Sequence, residues 1–134
     1  MHFRLSQTLA IAVTVVASIA LTGCRSPNYN GIWQGQTSQG KVISFTVTDN
    51  AITRAKLECK LECQTSGFCP TDSSFDGDVN AKLAGNSFSA SVGEATFSGK
   101  LESDTAGSGE LKMNTSNPQC GECKAAVTWT AKKL

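Results

Sequence analysis

The six cysteines of this 134-residue chain carry its widest chemical reach. Cys24 stands alone near the start, Cys59, Cys63 and Cys69 fall in one stretch, and Cys120 and Cys123 in another. Such a set serves cross-linking, ligation of a soft or borderline metal ion, or thiol–disulfide exchange. Cys120-Gly121-Glu122-Cys123 has the spacing of a redox pair. A reactive pair, however, draws its low thiol pKa from a helix N-terminus, and this one precedes an alternating run that reads as strand. The spacing C-x3-C-x5-C with C-x2-C matches no strong zinc pattern, so no metal or other cofactor is expected. Asp72, Asp76 and Asp78 lack the spacing of a calcium loop and read as solvated acids.

The elements before Cys24 decide what the other cysteines do. Arg4 gives a short positive start, Leu5 to Gly23 carries no charge, and its densest apolar part runs from Leu9 to Leu21. That length suits a signal-peptide core better than a membrane span. It ends in Leu21-Thr22-Gly23-Cys24, followed by the turn-rich Arg25-Ser26-Pro27-Asn28-Tyr29-Asn30. These residues resemble the precursors of bacterial lipoproteins. The resemblance implies cleavage before Cys24 and a membrane anchor of acyl chains on that residue, each buried CH2 contributing about 0.8 kcal/mol. It implies export to the cell envelope, and Arg25, where the family uses aspartate for inner-membrane retention, implies the outer membrane in a cell that has two. Residues 1–23 are then signal peptide, 24–30 a lipidated tether, and 31–134 the folded domain.

With residues 1–23 gone the chain is formally neutral, since Arg4 leaves and 11 basic residues face 11 acidic ones. A neutral chain without a basic run has no footprint for nucleic acid. The single histidine, His2, leaves too, which removes Ser-His-Asp and Cys-His nucleophile systems and histidine metal ligands. A non-enzymatic role is expected.

From Gly31 onward the pattern has period two. Trp33 alternates with Ile32, Gln34 and Gln36; Ile43, Phe45 and Val47 alternate with Ser44, Thr46 and Thr48. Arg54, Lys56, Glu58, Lys60 and Glu62 hold every even position against Ala55, Leu57, Cys59, Leu61 and Cys63, and a helix would set like charges four residues apart. Odd-numbered residues from 53 to 63 and from 75 to 83 are therefore expected to share one apolar interior. Gln64 to Ser74 reads as a turn-rich excursion containing Gly67, Cys69 and Pro70, and Thr115 to Cys123 as a second cysteine-bearing loop. Turn signals at Ser38-Gln39-Gly40, Asp49-Asn50, Gly85-Asn86, Gly93-Glu94 and Asp104 to Gly107 divide the chain into eight strands. Short connections between half-apolar strands predict an all-β fold, an eight-stranded antiparallel up-and-down meander forming a small closed or nearly closed barrel after the N-terminal signal helix.

Gly31-Ile32-Trp33 opening such a meander resembles the calycin group, which includes lipocalins and avidin-like proteins, while Thr96 to Leu101 and Val127 to Ala131 are similar in style to exported bacterial β-domains. The likeness implies binding of a small apolar molecule or a partner protein. Trp33 reads as a core residue plugging one barrel end and Trp129 as core. No arginine near the C-terminus is placed to cover the Trp33 ring; Lys132 and Lys133 are the nearest substitutes.

Alternating strand direction puts the loops after the first, third, fifth and seventh strands at one end, opposite the tether. Both cysteine-bearing loops belong to that end, so it is the expected working rim. An exported domain oxidises its thiols, which makes Cys59, Cys63, Cys69, Cys120 and Cys123 disulfide candidates with one left over. Cys59 and Cys63 on one strand face stand roughly 13 Å apart at about 3.3 Å per residue, beyond the ~7 Å reach of a disulfide. At least one bridge is expected from Cys59 or Cys63 to the Cys120/Cys123 loop. The reading is a membrane-anchored binding or envelope-interaction module; the alternative is a cysteine-based metal-binding or thiol-redox protein.

Overall fold

The computed structural model describes residues 26–65, 69 and 71–134; the signal segment, Cys24 and Arg25, and Gly67 and Pro70 of the excursion, lie outside the described residues. The described residues form strands β1 (Gly31–Thr37), β2 (Val42–Thr48), β3 (Ala51–Lys60), β4 (Glu62–Cys63), β5 (Asp72–Lys82), β6 (Ser87–Val92), β7 (Ala95–Leu101), β8 (Ala106–Asn117) and β9 (Gly121–Lys133), and no helix. The sheet order is β5-β3-β2-β1-β9-β8-β7-β6, with the two-residue β4 added to β9. All pairings are antiparallel. The eight long strands are thus an up-and-down meander curled until β1 meets β9, from Trp33 opposite Lys133 to Thr37 opposite Trp129. The circuit is left open at one place. Between β5 and β6 no ladder forms, and the strands meet through the isolated bridge of Ala84 with Ser87.

Local chemistry explains the turns. Asp49 and Asn50 take φ of 50° and 62°, the left-handed pair that a two-residue hairpin needs and that these side chains tolerate best after glycine. Close approach explains two glycines. A Cβ at Gly35 would run into the Thr130 carbonyl oxygen, and one at Gly109 into the Ser98 carbonyl oxygen and the Trp129 ring, so both let neighbouring strands bend together.

The inward side chains fill the barrel. Trp33, Phe45, Phe97 and Trp129 are at most 1 % exposed. Phe45 is the hub: its ring stacks on Trp33 at 5.8 Å and lies 5.5 Å from Trp129, 5.6 Å from Phe97 and 5.9 Å from Phe88. Burying two indoles strands two N–H donors unless each finds an acceptor. Trp129 Nε1 donates to the Ser98 carbonyl at 3.1 Å and Trp33 Nε1 to the Tyr29 carbonyl at 2.9 Å. Lys133 does not serve the Trp33 ring; its Nζ donates to the Asn28 carbonyl at 2.6 Å. Tyr29 packs on the core, so the last tether residues seal the barrel end where the tether enters.

Four details depart from the sequence pattern, the first being that the third strand ends at Lys60, so that Cys63 leaves the strand of Cys59 and pairs with β9. A bulge shifts the register between Ile52 and Arg54, so Ile52, fully buried, faces inward and Thr53 does not; odd-numbered parity begins at Ala55. β5 starts at Asp72 instead of Phe75, because its ladder with β3 continues to Lys60 opposite Asp72. The Thr115–Cys123 loop shrinks to Pro118-Gln119-Cys120, since β8 and β9 stay paired out to Asn117 opposite Gly121.

Candidate functional site

The rim opposite the tether is built by strands that outrun their neighbours. β1 covers one edge of β9 only as far as Trp129, leaving Gly121 to Thr128 of that edge beyond it. The chain leaving β3 takes up the vacancy: Leu61 N–H donates to the Thr71 carbonyl at 2.6 Å, and the next residues switch partner, Glu62 lying opposite Lys124 and Cys63 opposite Cys123. Gln64 N–H then donates to the Glu122 carbonyl at 3.0 Å, and Glu122 N–H to Gln64 Oε1 at 3.2 Å.

This crossing brings four cysteines together. Cys63 is bonded to Cys123, with Cα atoms 4.0 Å apart, and Cys69 to Cys120, with Cα atoms 5.7 Å apart. The bridge from the exit of the third strand to the Cys120/Cys123 loop is the first of these. Both members of Cys120-Gly121-Glu122-Cys123 therefore bond to the excursion and not to one another. Cys59 is the free cysteine among the described residues, one strand turn short of the crossing. Asp72, Asp76 and Asp78 stand outside on β5, exposed, with Lys41 3.6 Å from Asp72 and Arg54 3.1 Å from Asp76 and 3.9 Å from Asp78. Exposed pairs of this kind contribute about 1 kcal/mol or less.

Cys59 lines a half-open cavity of about 180 Å3 at the rim end of the open seam, with Leu57, Phe75, Val92, Leu111 and Met113 among its other walls and Ser73, Ser74 and Glu94 also lining it. The Ser73 hydroxyl, opposite Cys59 in the β3–β5 register, donates to the Met113 sulfur at 3.2 Å across it. Phe75, Val79 and Met113 are only partly buried, as expected where two strands splay. No signal in the sequence sets Met113 and Val92 beside Cys59, since that depends on where the circuit opens. A wider hollow of about 570 Å3 lies on the outer surface over Gly35, Gly107 and Ala131. Gln34, Gln36, Thr130 and Lys132 beside it are exposed, and the Ser108 hydroxyl donates to Glu102 at its margin.

Burial pushes the Cys59 thiol pKa up. The folded chain keeps the S–H while the unfolded chain ionises, so this contribution to stability is whole below the ordinary thiol value of about 8.5 and is lost as pH rises beyond it. Urea titrations at rising alkaline pH should show that loss in the native sequence and less of it in Cys59→Ala. Equal slopes would show that the buried thiol does not govern it. The same burial predicts that the Cys59 thiol stays silent toward iodoacetamide until the chain is unfolded.

No protein-family model, curated protein or solved structure matches this chain.

Proposed function

We propose that the chain is an exported lipoprotein, held to a bilayer by acyl chains on Cys24, whose barrel is a non-enzymatic binding module that meets a protein of the cell envelope with its far rim. The filled interior carries this reading. Five aromatic rings occupy the space in which a calycin would hold a ligand, with centroids 5.1 to 6.0 Å apart. The seam cavity, about 180 Å3, falls below the ~300 Å3 at which small-molecule sites begin, and the larger hollow of about 570 Å3 over Gly35 lies open on the outer surface. What remains for recognition is outer surface, which favours a macromolecule over a small apolar ligand. Two disulfides stiffen the rim, and a rigid surface loses less conformational entropy when it binds.

Expression of the full chain in a bacterium with lipoprotein processing tests both halves. Intact mass should show residues 1–23 removed and Cys24 acylated, and Cys24→Ala should leave the membrane fraction. A photo-cross-linker at Gln119 on the rim should capture an envelope protein while one at Asp104, at the tether end, should not. Retention of Cys24→Ala in the membrane would overturn the anchor; equal labelling from both positions would overturn the rim.

A further inference from the structure

Resting on the binding reading above, we propose that the open seam is the docking edge: an extended segment of a partner protein adds to β6 as a strand, apolar side chains inward and basic ones outward.

The backbone directions come first. Ser87 exchanges hydrogen bonds with Ala84, at 2.8 and 3.1 Å, so the Ser87 N–H and C=O point toward β5. Period two turns those of Ser89 and Ser91 the same way, toward no partner strand. On β5 the Thr71 carbonyl accepts from β3's side, which turns the backbone groups of the even residues Asp72, Ser74, Asp76 and Asp78 toward the same gap. Two rows of ladder groups thus face one another without a ladder.

Exposed edges are ordinarily guarded by charge, proline or a bulge, because they template foreign strands. β6 reads Ser87-Phe88-Ser89-Ala90-Ser91-Val92, with none of the three. The cavity beside it specifies the inward residue. A space of ~150 Å3 holds a benzene ring, so the half-open hollow of ~180 Å3 here has room for one branched aliphatic or phenyl side chain. Charge specifies the outward residues. Along β5 and from Ser87 to Glu94 stand Asp72, Asp76, Asp78 and Glu94 against one basic residue, Lys82, at the tether end of the seam. Lys41 and Arg54 reach the aspartates from the β2 and β3 side, away from the seam. A strand entering the gap meets the β5 aspartates along one flank and Glu94 at the rim end of the other, and main-chain bonds add to the affinity.

The test uses the full acylated chain in neutral detergent and a peptide alternating lysine with valine. Binding should slow amide hydrogen exchange at Ser89 and Ser91, weaken with salt as exposed charge pairs do, and fail for the peptide alternating glutamate with valine. Ser91→Pro removes a seam-facing N–H without touching the β7 ladder and should weaken binding about tenfold. Asp78→Lys, at a fully solvated position outside the fold's core, should weaken the lysine peptide and strengthen the glutamate one. Unchanged exchange at β6, wild-type binding by both variants, or a β6-paired dimer that Ser91→Pro dissociates would each overturn the proposal. Failure of the peptide while Gln119 still cross-links an envelope protein sinks the seam alone; failure of both sinks the binding reading as well.

Discussion

Reduction of both disulfides is expected to lower the stability of the domain by about 7 kcal/mol. Cys63–Cys123 spans 60 residues, a loop whose closure constrains the unfolded chain by about 4 kcal/mol on the chain-entropy account. Cys69–Cys120 spans 51 residues and lies inside the first loop. Once the outer bond is made, the inner one closes only the small ring between the two bridges, and its share drops to about 3 kcal/mol. A domain of this size has about 5–15 kcal/mol in all, so the reduced protein should sit near its unfolding midpoint at room temperature. Urea titration with and without a phosphine reductant measures the total. Cys69→Ser/Cys120→Ser and Cys63→Ser/Cys123→Ser should each cost about 3 kcal/mol, their sum falling short of the full loss because either bridge alone retains most of the constraint. Strict additivity would refute the nested-loop account, and a total under about 1 kcal/mol would show that native strain cancels the gain.

Phe45→Ala should cost about 5 kcal/mol, near the top of the range for an aromatic core truncation. Its ring touches Trp33, Phe88, Phe97 and Trp129, and each of those pairs is worth about 0.5–1.5 kcal/mol beyond area burial. The surrounding rings belong to β1, β6, β7 and β9, which hydrogen bonds hold in place, so the site collapses little and the void persists. Phe75→Ala offers the contrast. That ring lies at the splayed seam and is only partly buried, and its loss should cost about 1–2 kcal/mol. The order of the two, read from urea midpoints at constant m, tests whether the aromatic cluster or the seam holds the barrel. Equal losses would refute the assignment of the core.

The strand content was legible because the exposed positions announce themselves. Arg54, Lys56, Glu58 and Lys60 place a charge at every second residue of β3, and alternation of that kind survives any tertiary context. Ser73, Thr115 and Asn117 announce nothing, so the true starts and ends of β5 and β8 were lost in what read as loops, where ladder pairing overrides composition. The bulge at Ile52 was hidden for a related reason: Thr53 suits either face of a strand. The position of the seam lay deepest. Every local signal is satisfied equally by a barrel opened between any two neighbours, and only the long-range pairing of β1 with β9 decides the matter. That Cys59 is the cysteine left unpaired among the described residues follows from the bend at Leu61, which carries Cys63 to Cys123.

β9 occupies residues 121–133 and is bordered by β1, β4 and β8. A polypeptide emerging N-terminus first therefore exposes Trp33 and Phe45 long before the segment that covers them exists. Nothing can lock early: the ring cannot close, nor either bridge form, until the final stretch has appeared. Closure of the ring and both cross-links therefore wait on one segment, and until it arrives the earlier hairpins carry their aromatic side chains uncovered.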